Sequence, residues 1–157
     1  MTDLLALTAE LVDIPSVSHD EAAIADHLVD ALAGAPWLTV SRVGDNVVAR
    51  TELGRPHRLV LAGHTDTVPA NGNERARVEG DVLHGLGACD MKGGLAVFLE
   101  LARTVAEPAV DVTYVFYVCE EVGALAPTPP GPGRGATPST ASGGCSPSSR
   151  APSSGGR

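Results

Sequence analysis

Apolar residues recur with two different periods along the first 122 positions, and their alternation outlines an α/β layer. Leu4, Leu7, Leu11 and Ile14 recur every three or four residues, the spacing of one helix face, and Pro15 ends the run. Ser18 and Glu21 then form an S-x-x-E pattern that reads as a capping box. Behind it, Ala23, Ile24, His27, Leu28, Ala31 and Leu32 predict a second helix, with Gly34 placed to cap its C-terminus. Residues 37–43 and 46–51 read as strands joined at Gly44-Asp45-Asn46, a hairpin signal. Arg58 to Ala62 carries the run Leu59-Val60-Leu61-Ala62 and predicts a buried strand. Weak alternation around Glu79-Gly80-Asp81 predicts a small second hairpin over 76–84. Residues 93–106 read as a helix, and Thr113 to Cys119 as another buried strand.

The stretch 58–119 therefore runs strand, excursion, helix, strand, the order of a parallel crossover unit. The expected fold over residues 3–122 is α/β, with a mixed, largely parallel sheet flanked by helices. In such sheets, sites form beyond the carboxyl ends of the strands. His64-Thr65-Asp66 falls past one such end, and Glu120-Glu121 past the other. Asp90 falls in the glycine-rich stretch GLGACDMKGG, just before the predicted crossover helix. Metal-dependent hydrolysis needs this mixture: imidazole and carboxylate ligands, and a carboxylate left over as base. Each station alone also has an ordinary reading, as a polar turn, an N-capping Asp or a solvated strand end. Convergence at one rim favours the metal. His19 and His27 are placed in early helical segments, His57 in a turn, and His84 near the site but at the surface. Cys119 reads as a buried strand residue.

Composition changes the picture at the C-terminal end. Residues 123–157 contain no acid, Lys, His, aromatic residue, Val or Ile. Such a segment has nothing to bury, and disorder is the expectation for it. All 19 acids lie in residues 1–122 with eight of the 11 Lys and Arg, a net charge of −11 there. That charge argues against nucleic acid and acidic membrane surfaces as partners. Three cysteines without a C-x-x-C pair fit a reducing compartment, and the acidic, amphipathic N-terminus is unlike a secretory signal. Cytoplasmic localisation is the expectation.

GHTDTVP at 63–69, GLGACDMKGG at 85–94 and CEEV at 119–122 together resemble the di-zinc aminoacylase and carboxypeptidase family of peptidases. LVDIPSVS at 11–18, NVVART at 46–51 and VTYVFYVCEEV at 112–122 extend the likeness to about residues 3–122. The resemblance implies part of a zinc-peptidase-like catalytic domain that hydrolyses amides of small N-acyl amino acids. It implies two zinc ions per intact subunit, with cobalt as a possible substitute. His64 would bind one ion, Asp90 would bridge both, and Glu121 would bind the second. Glu120 would be the general base and Asp66 would orient His64. A cis peptide after the bridging aspartate is implied as well. So are a later acidic ligand, a late histidine ligand, and a lid domain that also makes a homodimer. Residues 123–157 supply no His, Asp or Glu. The sequence-based expectation is thus a truncated or frameshifted member that is weakly active or inactive, with an acetylornithine deacetylase or carboxypeptidase of the same family, or a non-catalytic metal-binding remnant, as the alternatives.

Overall fold

In the computed structural model, which describes residues 2–122, two helices precede a mixed sheet. Helix α1 spans Leu4–Val12. Its N-terminus is capped by Asp3, whose Oδ1 accepts from the amides of Leu5 at 2.9 Å and Ala6 at 3.1 Å. Helix α2 spans Ala22–Leu32 and ends at Ala33 in right-handed backbone, so Gly34 is not used as a left-handed cap. Strands β1 (Thr39–Val43) and β2 (Asn46–Arg50) form the expected hairpin, with Gly44 at φ +60° in its turn. Strand β3 spans Arg58–His64. Strands β4 (Arg77–Glu79) and β5 (Val82–His84) make a separate two-stranded hairpin. Helix α3 spans Gly93–Thr104, and β6 spans Asp111–Tyr117. The expected disorder of residues 123–157 lies outside the described residues.

The main sheet has the order β1-β2-β6-β3. Strands β3 and β6 are parallel and in register from Arg58 opposite Asp111 to His64 opposite Tyr117. Helix α3 lies between them in the chain, which gives the expected crossover unit. The parallel share is smaller than expected. Among the described strands, β1–β2 and β2–β6 are antiparallel, because the hairpin docks on β6 through its second strand.

Period-two alternation decides which face is buried. Val47 and Ala49 of β2 and Val112, Tyr114 and Phe116 of β6 point into one core with Leu7 and Leu11 of α1, Ile24, Leu28 and Leu32 of α2, and Leu95 and Leu99 of α3. Strand β3 is different: Leu59 and Val60 are exposed, and only its C-terminal end is buried. Gly63 explains how that end is seated. A Cβ there would meet Leu95 Cδ2 and Met91 Cε, each at 2.6 Å, so glycine lets the strand press onto the start of α3 without moving those side chains. The parallel register and this close approach deliver His64 and the Asp90 loop to the same end of the sheet.

Candidate metal centre

Each predicted site residue sits at the carboxyl end of the β3–β6 pair. His64 is the last residue of β3 rather than the second beyond it, since the strand runs two residues further than its apolar run. Strand β6 stops at Tyr117, two residues earlier than predicted. The amide of Val118 turns to Asn46 Oδ1 at 3.3 Å, and Cys119 adopts a left-handed backbone at φ +64°. Cys119 is therefore a half-buried bend residue and not a strand residue. The bend returns Glu120 and Glu121 towards His64. One ligand atom from each of His64, Glu120 and Glu121 lies within 4.8 Å of the others.

Asp66 organises this end. Its carboxylate is buried and accepts three hydrogen bonds: from Ser18 Oγ at 2.7 Å, the Glu120 amide at 3.0 Å and the Glu121 amide at 2.9 Å. Burial alone would push the Asp66 carboxyl up. Ser18, then the amides of Glu121 and Glu120, outweigh burial and hold it below the usual carboxylate range. Asp66 also faces the imidazole, with Oδ1 at 3.5 Å from His64 Nδ1. The closer partner of Nδ1 is the Asp66 carbonyl oxygen at 3.1 Å, which fixes the proton on that nitrogen.

The other imidazole nitrogen, Nε2, meets Asp90 Oδ1 at 2.9 Å. Burial would lower the His64 pKa. The hydrogen bond to Asp90, the Asp66 carbonyl and the charges of both aspartates together raise it above the ordinary histidine value. A proton on Nε2 satisfies this contact, and a cation would displace that proton and take the lone pair. Asp90 itself is exposed, on the turn Ala88–Lys92, and the Asp90–Met91 peptide is cis. The structure brings Asp90 to His64, while the group formed with Glu120 and Glu121 does not include it.

The residues fit a divalent metal by their chemistry. The donors are one imidazole and hard carboxylate oxygens. Asp66, Asp90, Glu120 and Glu121 supply four negative charges against one imidazole. The nearby cation Lys92 is turned elsewhere: buried, it donates from Nζ to the Ile14 carbonyl at 2.8 Å. Burial pushes its pKa down to about 8, with Asp13 pulling the other way.

Beside these groups lies a cavity of about 580 Å³, lined in part by Asn73, His84, Cys89, Asp90 and Glu121. Its volume suits a small organic ligand. His84 is thus at the edge of the site, as expected. His19 departs from expectation: it lies outside any helix, at φ +76°, with Nδ1 at 3.6 Å from Cys119 Sγ. Sequence reasoning also missed the segment 16–21. Ser18 and Glu21 were expected to cap α2, yet neither does so. Ser16 Oγ donates to the Thr65 carbonyl at 2.7 Å, Ser18 Oγ goes to Asp66, and Glu21 reaches Cys119. The signal was in the sequence, but it matched a local pattern equally well.

An imidazole and carboxylates gathered at the carboxyl rim of a crossover sheet are the donor types that metal-dependent hydrolases use. The profile of Peptidase family M20/M25/M40 matches residues 60–143, and the chain belongs to this family. Among relatives, a Mycobacterium tuberculosis protein, a candidate succinyl-diaminopimelate desuccinylase, is 55% identical over 125 residues, covering 79% of this chain and 35% of that protein. The succinyl-diaminopimelate desuccinylase of Corynebacterium glutamicum is 47% identical over 125 residues, covering 76% and 34%. In fold, the chain is similar to an M20 family metallo-carboxypeptidase from Sulfolobus solfataricus, with a TM-score of 0.67 at 22% identity, covering 79% of this chain and 32% of the other. The chain spans about a third of the length of the relatives it matches. No helix among the described residues is long and apolar enough to cross a membrane.

Proposed function

We propose that this chain carries the metal-binding rim of a succinyl-diaminopimelate desuccinylase, which hydrolyses N-succinyl-LL-2,6-diaminopimelate to succinate and LL-2,6-diaminopimelate in lysine biosynthesis. The observation that carries the reading is the convergence of His64, Glu120 and Glu121 beside the Asp90-lined cavity. Identity of 55% to a desuccinylase candidate supports the substrate. Two zinc ions are the proposed cofactors, with His64 and Asp90 on one and Asp90 and Glu121 on the other. Ions held there would polarise the amide carbonyl and make the attacking water more acidic. Glu120 takes the proton of that water and passes it to the departing amine. Asp66 keeps the His64 ring oriented, and its grip on the two glutamate amides sets where Glu120 reaches. Asn73 and His84 line the cavity wall, where they can contact the substrate. The proposed setting is cytoplasmic, and the proposed assembly of the intact enzyme is a homodimer.

The test is a chimaera in which residues 2–122 replace the matching part of the Corynebacterium glutamicum relative. Zinc-dependent succinate release is the expected outcome. Glu120→Gln should cut turnover about 10²- to 10⁴-fold with little change in KM. A folded, zinc-loaded chimaera that leaves N-succinyl-diaminopimelate intact but cleaves N-acetylornithine or a dipeptide would assign a different reaction.

A further inference from the structure

The S-x-x-E pattern at 18–21 is used for something other than a helix cap. Helix α2 begins at Ala22, and the residue in the cap position, Glu21, makes no capping bond with its side chain. Instead the Glu21 side chain is 2% exposed and sends Oε1 to the Cys119 amide at 3.2 Å and the Cys119 Sγ at 3.7 Å. A buried carboxylate is costly unless it is well hydrogen-bonded. This one is used on the residue just before the glutamate pair.

Three successive amides are thereby held by two buried carboxylates. Glu21 takes the amide of Cys119, and Asp66 takes those of Glu120 and Glu121. The first is the critical one for direction. Cys119 stands at φ +64°, a conformation that costs a non-glycine residue energy unless its surroundings hold it. Release of Cys119 would let the chain relax towards extended backbone and carry Glu120 and Glu121 away from His64.

We propose that Glu21 is a positioning residue for the glutamate pair: it anchors the left-handed bend at Cys119 that turns Glu120 and Glu121 towards His64. The inference rests on the reading of His64, Glu120 and Glu121 as a metal-binding group. Glu21 acts through the bend and is not a ligand. What matters is the reach of its side chain from the start of α2 and the oxygen at its end.

The test separates reach from charge in the full 157-residue chain, using Co²⁺ as the probe. Glu21→Asp keeps the charge and retracts the oxygen by one methylene. Glu21→Gln keeps the reach and an acceptor oxygen. Co²⁺ affinity and the visible Co²⁺ spectrum are measured alongside hydrogen exchange of the Cys119 amide. Glu21→Asp is expected to weaken Co²⁺ about 10- to 100-fold, the range seen for partners that orient metal ligands. It should alter the spectrum and speed exchange at Cys119, with the far-UV circular dichroism unchanged. Glu21→Gln should stay within about threefold of wild type because it keeps reach and acceptor, whereas a generic packing role would leave Glu21→Met at wild-type affinity as well. If Glu21→Asp unfolds, Glu21→Met, which keeps the volume and removes the acceptor, is expected to show the same loss. Wild-type affinity in Glu21→Asp or Glu21→Met overturns the proposal, as does a loss in Glu21→Gln equal to that in Glu21→Asp. A wild-type chain that takes up no Co²⁺, or a His64→Ala variant that binds it equally well, overturns the metal reading itself. In either case the proposal falls with it.

Discussion

Two buried aspartates, at opposite ends of the β3–β6 pair, are held by the same kind of bonding and put to different ends. Asp111 opens β6. Its carboxylate accepts from the amides of Leu53 and Arg55 at 2.8 and 2.9 Å and from Thr51 Oγ1 at 2.8 Å. Asp66, beyond the last residue of β3, accepts from two amides and one hydroxyl as well. The neighbours differ. Arg58 Nη2 stands 3.9 Å from Asp111, so the charge at that end is balanced by the chain itself. Asp66 faces an imidazole and shares its rim with three more acids. Backbone donors can stabilise a single carboxylate, but they cannot neutralise four. The Asp111 end is balanced by an arginine, whereas the rim at Asp66 keeps a surplus of carboxylates, the surplus that the proposed cations would offset.

The largest effect should come from cutting each hub in turn. Asp66→Ala strands two amides and a hydroxyl in a buried place, and a loss of about 3 kcal/mol is expected in urea unfolding. It should also abolish Zn²⁺ binding measured by calorimetry. Asp111→Ala should lower stability too, yet leave Zn²⁺ affinity as in wild type. Zinc binding lost equally in both variants would erase the distinction between the two ends.

Lys92 sharpens the comparison, because it is the cation near the rim that does not balance it. Its pKa is lowered to about 8 in the folded chain, so the unfolded chain binds more protons between that value and the ordinary lysine value. Stability therefore rises with pH across this window, by about 1.4 kcal/mol per unit at most. Lys92→Met removes the group, and its stability relative to wild type should fall across pH 8–10 by about 1 kcal/mol per unit. A difference that stays flat over that range would show Lys92 to be fully solvated.

Acid should report the smallest effect. The Leu53 amide first, then Thr51 and the Arg55 amide, hold the Asp111 carboxyl below the usual range, with Arg58 adding to them and burial opposing. A depressed carboxylate stabilises the fold above its unfolded value and ceases to do so as pH falls through the folded one. Wild type should lose stability below about pH 4, and Asp111→Asn should show a shallower acid limb in thermal melts. Identical limbs would remove Asp111 from the acid response.

Element order, the parallel pairing of β3 with β6, and the gathering of His64, Asp66, Asp90, Glu120 and Glu121 at one rim were legible in the sequence. Those features rest on apolar runs, period and chain order, which are written locally. Strand ends were less legible. Gly63 and His64 carry no apolar signal, yet β3 includes them because its register with β6 continues to Tyr117. Val118 and Cys119 look like strand, yet an asparagine side chain and a left-handed bend take them out of it. Ser18 and Glu21 were misassigned for a deeper reason. Their pattern has a sufficient local explanation, and their true partners lie 48 and 98 positions away, where no periodicity points.

Those separations also set an order of events. The contact of Glu21 with Cys119 closes one of the longest loops in the described chain, and long-range closures come late because their entropy must be met before their contacts form. Helices α1 and α2, the β1–β2 hairpin and the β3–α3–β6 unit can each gather over shorter distances. Before that closure, the β3–β6 pairing and Asp66 already hold Glu120 and Glu121 near His64, but the bend at Cys119 lacks its anchor from the start of α2. The finished geometry of this rim is thus a late product of folding, and its appearance marks a chain whose first and last elements have met.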